Sequence, residues 1–244
     1  MSTDWTVEDA TGDGPPIVEV VEALRACYGT PDRGDPEPPI DGLIATILSQ
    51  NTSDINTERS FRSLKQRFPD WDAVIDAPVS EVADAIRSGG LADRKAPRIQ
   101  AVLRAIRDRT GGYDLSFLGA MEIEEARDWL MALNGVGPKT ASCVLMFNLG
   151  RDAMPVDTHV HRVAARLHLL PPGTSAERAH AILEAQLPPG MAHDAHLLMI
   201  RHGRETCTAR RPRCADCVLV HCCPSAPLFL GAFDTSTNGA EISS

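Results

Sequence analysis

An all-α protein is predicted by three features of the 244-residue sequence. Apolar residues recur at spacings of three and four along most of the chain, which puts them on one face of a helix. No segment shows the apolar–polar alternation of a half-buried strand. Gly pairs and Pro interrupt the periodic segments where helices would have to end.

Taken in order, Ile17, Val18, Val20, Val21 and Leu24 predict a first helix, followed by a Pro-rich connector over 30–39 (TPDRGDPEPP). Leu43, Ile44, Ile47 and Leu48 mark a second helix, and Phe61, Leu64 and Phe68 a third. A short helix around Val82 and Ile86 stops at Gly89-Gly90. The stripe Ile99, Val102, Leu103 and Ile106 ends at Gly111-Gly112, and Trp129, Leu130 and Leu133 lead into Asn134-Gly135. Further helices are expected over 138–148, 158–169, 175–187 and 192–204.

Composition limits the function classes. A hydrophobic fraction of 43% is that of a globular chain. No apolar run nears the roughly 20 residues of a membrane span. The start, MSTDWTVEDATGDG, lacks the basic and apolar regions of a signal peptide, so a cytoplasmic location without membrane partner is expected. The formal net charge of −9 argues at first against nucleic acid, because phosphate contacts need Lys and Arg. The acidity lies in the ends, however. Residues 1–40 carry nine acids against two arginines, and residues 224–244 carry two acids and no base. The segment 41–223 has 22 of each and is neutral. Residues 1–14 and the tail from Pro224 lack periodicity and read as poorly ordered.

Two residue types stand out. The chain has 21 Arg but only three Lys, at 65, 95 and 139. A Lys where Arg is the norm suggests an amine that must lose its proton to react, which guanidinium cannot do. Of seven Cys, Cys27 and Cys143 sit in helical patterns and read as core. The other five, Cys207, Cys214, Cys217, Cys222 and Cys223, fall within 17 residues. In a cytoplasmic chain such a cluster reads as a metal site.

The stretch Leu133-Asn-Gly-Val-Gly-Pro-Lys-Thr-Ala141 lies between two helical patterns. Gly135 and Gly137 permit a tight hairpin, and Pro138 suits the first turn of a helix. The helix start presents unpaired N–H groups to an anion such as phosphate. A plain Gly-rich connector has the same spacing. Farther on, Asp157 precedes Thr158 and the apolar pattern Val160, Val163, Ala164 and Leu167, the place of an N-cap. The thiols Cys207-x6-Cys214-x2-Cys217-x5-Cys223 suit either iron–sulfur or zinc, and His221 is available to zinc.

Together these segments resemble the endonuclease III family of helix-hairpin-helix DNA glycosylases. The carriers are the L-x-G-V-G-x-K-T-A hairpin, the run Val156-Asp-Thr-His-Val-His-Arg-Val163 with Asp157 18 residues after Lys139, and the cysteine spacing. The resemblance spans about Leu43 to Cys223. It implies two helical domains with a DNA-binding cleft between them. One is a six-helix domain over 33–151 that ends in the hairpin. The other is an iron–sulfur domain over 152–223 packed with an N-terminal segment, 1–32, and 224–244 is a flexible tail. It implies that Lys139 and Asp157 are catalytic and face each other across that cleft. It also implies that Cys207, Cys214, Cys217 and Cys223 hold a [4Fe–4S] cluster, with Cys222 a neighbour.

Ile47-Leu-Ser-Gln-Asn-Thr-Ser-Asp54 is similar to the family segment whose amide fills the stack when a base flips out, a step that costs a few kcal/mol. Alignment on Asp54 puts Asn51 in that place, with Gln50 beside it as the alternative. Gly90-Leu-Ala-Asp-Arg-Lys-Ala96 resembles the loop that supplies a leucine wedge, here Leu91. Lys95 and Arg94 are candidate phosphate contacts. Gly135, Val136, Gly137 and Thr140 of the hairpin and His159 complete the expected DNA contacts. Arg204, Arg210, Arg211 and Arg213 would offset cluster charge or meet phosphate.

The resemblance thus implies a bifunctional enzyme acting as a monomer on double-stranded DNA with a damaged base or abasic site. It would remove oxidised pyrimidines and cleave the abasic strand by β-elimination through a lysine Schiff base. The alternatives are a mismatch-specific thymine or uracil glycosylase and a non-catalytic DNA-binding module. The adenine-specific branch is opposed by Lys139 itself and by Thr46, which stands where that branch carries a glutamate.

Overall fold

The computed structural model describes residues 13–231. Among these it contains helices and no strand. They are α1 (Ile17–Tyr28), α2 (Pro39–Ser49), α3 (Asp54–Arg67), α4 (Trp71–Asp76), α5 (Val79–Ala85), α6 (Ala92–Thr110), α7 (Ile123–Met131), α8 (Pro138–Cys143), α9 (Thr158–Arg166), α10 (Ala176–Gln186), α11 (Ala192–Glu205) and α12 (Ala226–Leu230). None of the described helices is long and apolar enough to cross a membrane. The described residues divide into two compact units, 33–155 and 13–32 with 156–231.

The 33–155 unit holds α2 to α8 around one apolar core. Leu43, Ile44, Ile47 and Leu48 of α2 and Ile99, Val102, Leu103 and Ile106 of α6 are fully buried there with Leu64, Ile86, Leu118 and Leu145. These are the apolar stripes of the sequence, so the period itself selects the buried faces. The helix α4 lay outside the sequence expectation. Its signal is local: Asp70 caps it by accepting from the Ala73 N–H at 2.8 Å. Its far end is closed by Gln100, a buried amide that donates to the carbonyls of Val74 and Ala77 at 2.8 Å each. The helix expected over 138–148 forms in two parts, since α8 widens into a π segment at Val144–Asn148.

The second unit packs α11 against α9 and α1, and α10 against α9. Val20, Val21, Leu24, Val160, Val163, Ala164, Leu183, Ala195, Leu198 and Met199 are its buried apolar residues. Arg25 on α1 ties to the buried Asp194 on α11, Nη2 to Oδ2 at 2.9 Å. Gly203 lets α9 approach α11: a Cβ there would lie 2.9 Å from His159 Cβ and 3.3 Å from Arg162 Nη2.

Two expectations are corrected. Cys27 is exposed, not core. The inward period runs from Val21 and Leu24 to Tyr28, which takes the last inward place on α1 and bonds to His202. The tail from Pro224 is ordered in its first part. Ser225 and Ala226 are buried, α12 follows, and Phe229 lies under the Arg166 guanidinium at 4.6 Å. The loose reading of 1–14 falls mostly on residues 1–12, outside the described ones. Within reach, Asp13 bonds His168 at 2.6 Å, and Gly14 sits where a Cβ would strike the Leu167 carbonyl.

Gly203→Ala should lower folding stability by about 1–3 kcal/mol through overpacking between α9 and α11. An unchanged midpoint of thermal unfolding would show that the two helices have room to spare.

Candidate functional site

In the 33–155 unit the hairpin joins α7 to α8. Gly135 has φ +82°, a backbone that favours glycine, and a Cβ there would also have to push aside the Arg98 side chain, whose Nε would be 2.6 Å away. Val136 is buried and anchors the turn, its N–H bonded to the Leu133 carbonyl at 3.0 Å. Gly137 is the N-cap of α8, Pro138 follows in the first turn, and Lys139 stands half-buried beside them. Thr140 is buried, its hydroxyl 3.5 Å from Gln50 Nε2.

Gln50 and Asn51 occupy the end of α2 and differ in kind. Gln50 is tethered, its Oε1 accepting from Arg98 Nη1 at 2.9 Å. Asn51 is exposed and left-handed, with φ 56°. Leu91, the N-cap residue of α6, is also left-handed, with φ 50°, and 47% exposed. A left-handed Leu costs about 1–2 kcal/mol, and apolar exposure adds nothing to offset it.

Lys95 corrects the sequence reading. It is 3% exposed, and its Nζ donates to the carbonyls of Leu48 at 2.6 Å and Gly89 at 2.8 Å. A side chain enclosed this way does not reach a phosphate. Lys65 is also accounted for, paired with Asp41 at 3.2 Å over the Trp71 ring.

In the other unit Asp157 caps α9. A single oxygen, Oδ1, accepts from the N–H groups of His159 and Val160 at 2.8 Å each. That arrangement leaves Oδ2 outside the cap. His159, half-buried, accepts at Nδ1 from Arg162 Nη2 at 3.1 Å, and Arg162 also donates to the Gly203 and Cys207 carbonyls.

Cys207, Cys214, Cys217 and Cys223 line one small pocket, with Val163, Leu167, Leu219 and Phe229 among its walls. Cys222 lies outside that lining and is exposed, and so is His221. Among the described residues no three His, Cys, Asp or Glu side chains converge as a single-ion site. The four thiols surround a shared space instead. Burial pushes the Cys217 thiol up to about 11 and raises Cys214 and Cys223 as well. Burial thus favours the neutral thiols, and a cationic centre bound there would favour the thiolates instead.

Sequence reasoning missed two of the polar groups around these thiols. Arg166 Nη1 is 3.2 Å from Cys207 Sγ and also donates to the Thr208 carbonyl. His202 Nε2 is 3.6 Å from Cys217 Sγ, while its Nδ1 meets the Tyr28 hydroxyl at 3.0 Å. Burial pushes His202 down to about 4, so the ring is neutral near pH 7. The Tyr28 hydroxyl also lies 3.0 Å from Thr206 Oγ1, so His202 is held between Tyr28 and the Cys217 sulfur. The available signal was periodic: Arg166 lies seven residues after His159 on the same helix.

Residues 44–189 match the family described as HhH-GPD superfamily base excision DNA repair protein, so the chain is a member of that superfamily. It is 40% identical over 165 residues to a putative DNA glycosylase of Arabidopsis thaliana, covering 68% of this chain and 56% of that protein's length. It is 34% identical over 210 residues to endonuclease III of Synechocystis, covering 85% and 91% of the two chains. A trapped endonuclease III–DNA covalent intermediate has a similar structure, with TM-score 0.75 and 28% identity, covering 93% of this chain and 99% of that one. Within the superfamily, the chain belongs to the endonuclease III family of DNA glycosylases.

Asp157→Ala should cost about 0.5–2 kcal/mol by uncapping α9, and Asp157→Asn clearly less, because its amide oxygen can accept both N–H bonds. Denaturant unfolding of the two variants checks this, and equal losses would contradict the single-oxygen cap.

Proposed function

We propose that the protein is a bifunctional base excision enzyme that removes oxidised pyrimidines from duplex DNA and then nicks the abasic strand. The observation that carries this reading is Lys139, half-buried at the start of α8 in a hairpin whose Gly135 has the left-handed backbone that favours glycine. The neutral amine attacks C1′ of the damaged nucleotide, the bond to the base breaks, and the base leaves protonated. The new ammonium loses one proton, its nitrogen lone pair breaks the C1′–O4′ bond, O4′ takes up a proton as a hydroxyl, and an iminium results. Removal of a C2′ proton then expels the 3′ phosphate, and water frees Lys139.

Asp157 is the proposed partner. Its capping bonds hold it by one oxygen, which leaves the carboxylate fixed in direction and able to stabilise positive charge at the sugar. Asn51 or Gln50 fills the vacated stack, and Leu91 enters as the wedge. The backbone at Gly135, Val136, Gly137 and Thr140, together with His159, meets the DNA. The proposed partner is duplex DNA with a damaged base or abasic site, bound by one copy of the chain in the cytoplasm.

Cys207, Cys214, Cys217 and Cys223 are proposed as ligands of a [4Fe–4S] cluster. The support is the shared pocket, the exclusion of Cys222 and His221 from it, the Arg166 donor at Cys207 and the His202 ring beside Cys217. Such a cluster supplies a rigid, charged staple for the loop, and the residues around it balance its charge.

A panel of duplexes carrying single damaged bases, scored for both excision and nicking, tests the reading. Release of oxidised pyrimidines with strand cleavage is expected, and release only of mismatched thymine or uracil would favour the alternative. Lys139→Gln should abolish borohydride trapping on abasic DNA, and continued trapping would remove it as nucleophile. Cys222→Ser should purify brown and Cys223→Ser should lose colour and iron. The reverse result would exchange their roles.

A further inference from the structure

Asn51 and Leu91 are exposed, left-handed, and follow within three residues the two carbonyls that Lys95 holds. Leu48 is the next-to-last residue of α2, so its carbonyl is one that the helix leaves without a partner. Gly89 closes the turn Arg87–Gly89 and leads through Gly90 to Leu91. One buried ammonium thus joins the end of the segment carrying Gln50 and Asn51 to the start of the loop carrying Leu91. Burying an ammonium is costly, and the bonds that offset the cost here go to backbone carbonyls. Desolvation correspondingly lowers the proton affinity of Lys95. One turn along α6, Arg98 repeats the theme by holding Gln50 and packing on Gly135.

We propose that Lys95 is a positioning residue for base extrusion, holding the Asn51 segment and the Leu91 loop as one pre-set pair that enters the base stack. This rests on the reading that those residues plug and wedge the duplex. The link replaces ordering that would otherwise accompany each extrusion event. A compact ammonium suits the role, since its donors diverge from one nitrogen towards two carbonyls, whereas a guanidinium is larger and planar.

The test uses the full-length protein with its colour intact. Lys95→Met should bind undamaged duplex within about twofold of wild type, yet excise a damaged base roughly 10–100-fold more slowly under single-turnover conditions. The fluorescence rise of 2-aminopurine placed beside the lesion should be lost. Borohydride trapping on a single-stranded abasic oligonucleotide, which has no stack to open, should stay at the wild-type rate. In a Leu91→Ala, Asn51→Ala background, Lys95→Met should slow excision by less than about threefold further, since neighbours in one assembly are non-additive. If Lys95→Met does not fold, Lys95→Gln retains an N–H donor and should show a smaller loss in the same assays. Wild-type excision and fluorescence in a folded Lys95 variant would overturn the proposal. So would an equal loss of trapping on single-stranded DNA, which marks a general structural role. Leu91→Ala and Asn51→Ala each alone separate the two layers. If both excise at the wild-type rate, the plug-and-wedge reading fails and takes this proposal with it. If they are slow and Lys95→Met is not, only the role of Lys95 fails.

Discussion

A helix leaves its terminal backbone groups without partners, and much of this protein's chemistry is arranged around how those groups are met. At the end of α2 the Leu48 carbonyl receives a buried ammonium. At the start of α9 two N–H groups receive one oxygen of Asp157. At the start of α8 the cap is Gly137, which brings no side chain of its own and leaves that end open to a ligand. The apolar stripes behind these ends make them rigid. Side chains that cap or are capped therefore point in fixed directions, as a site for a precise displacement requires.

The thiol loop follows a different logic. Its four cysteines face an apolar-walled pocket, and burial disfavours the thiolate of Cys214, Cys217 and Cys223. Arg166 brings a donor to Cys207, the neutral His202 stands 3.6 Å from the Cys217 sulfur, and Tyr28 meets His202 from α1. The N-terminal helix and the C-terminal loop thus meet through a hydrogen-bonded chain as well as through apolar packing. The exposed Arg204, Arg210, Arg211 and Arg213 are left on the outside of this region.

That placement bears on the overall charge. A chain of net −9 belongs to a DNA repair family because the excess acid lies in its terminal stretches and its middle is neutral. Binding responds to local potential, so a few outward arginines matter more than the total. The proposed cluster with four thiolates would add about two negative charges, which would make the arginines at the loop more valuable still.

Much was legible in the sequence. The apolar period marked the helices and their buried faces, since a side chain three or four residues on shares a face whatever the partner. Motif spacing gave the family, because the hairpin, the Asp157 cap and the thiol loop are local constructions. Tertiary structure decided what depends on contacts between distant segments. Lys95 looked like a surface cation until two carbonyls, 47 and six residues away, enclosed it. Cys27 sat in an apolar pattern but turned outward because Tyr28 had a partner on α11. Gln50 and Asn51 are adjacent and chemically alike, and the tertiary structure distinguishes them: Arg98 holds Gln50, while Asn51 is left-handed and exposed. Local sequence sets which face a residue belongs to, whereas the enclosure of a charge depends on which distant backbone groups arrive beside it.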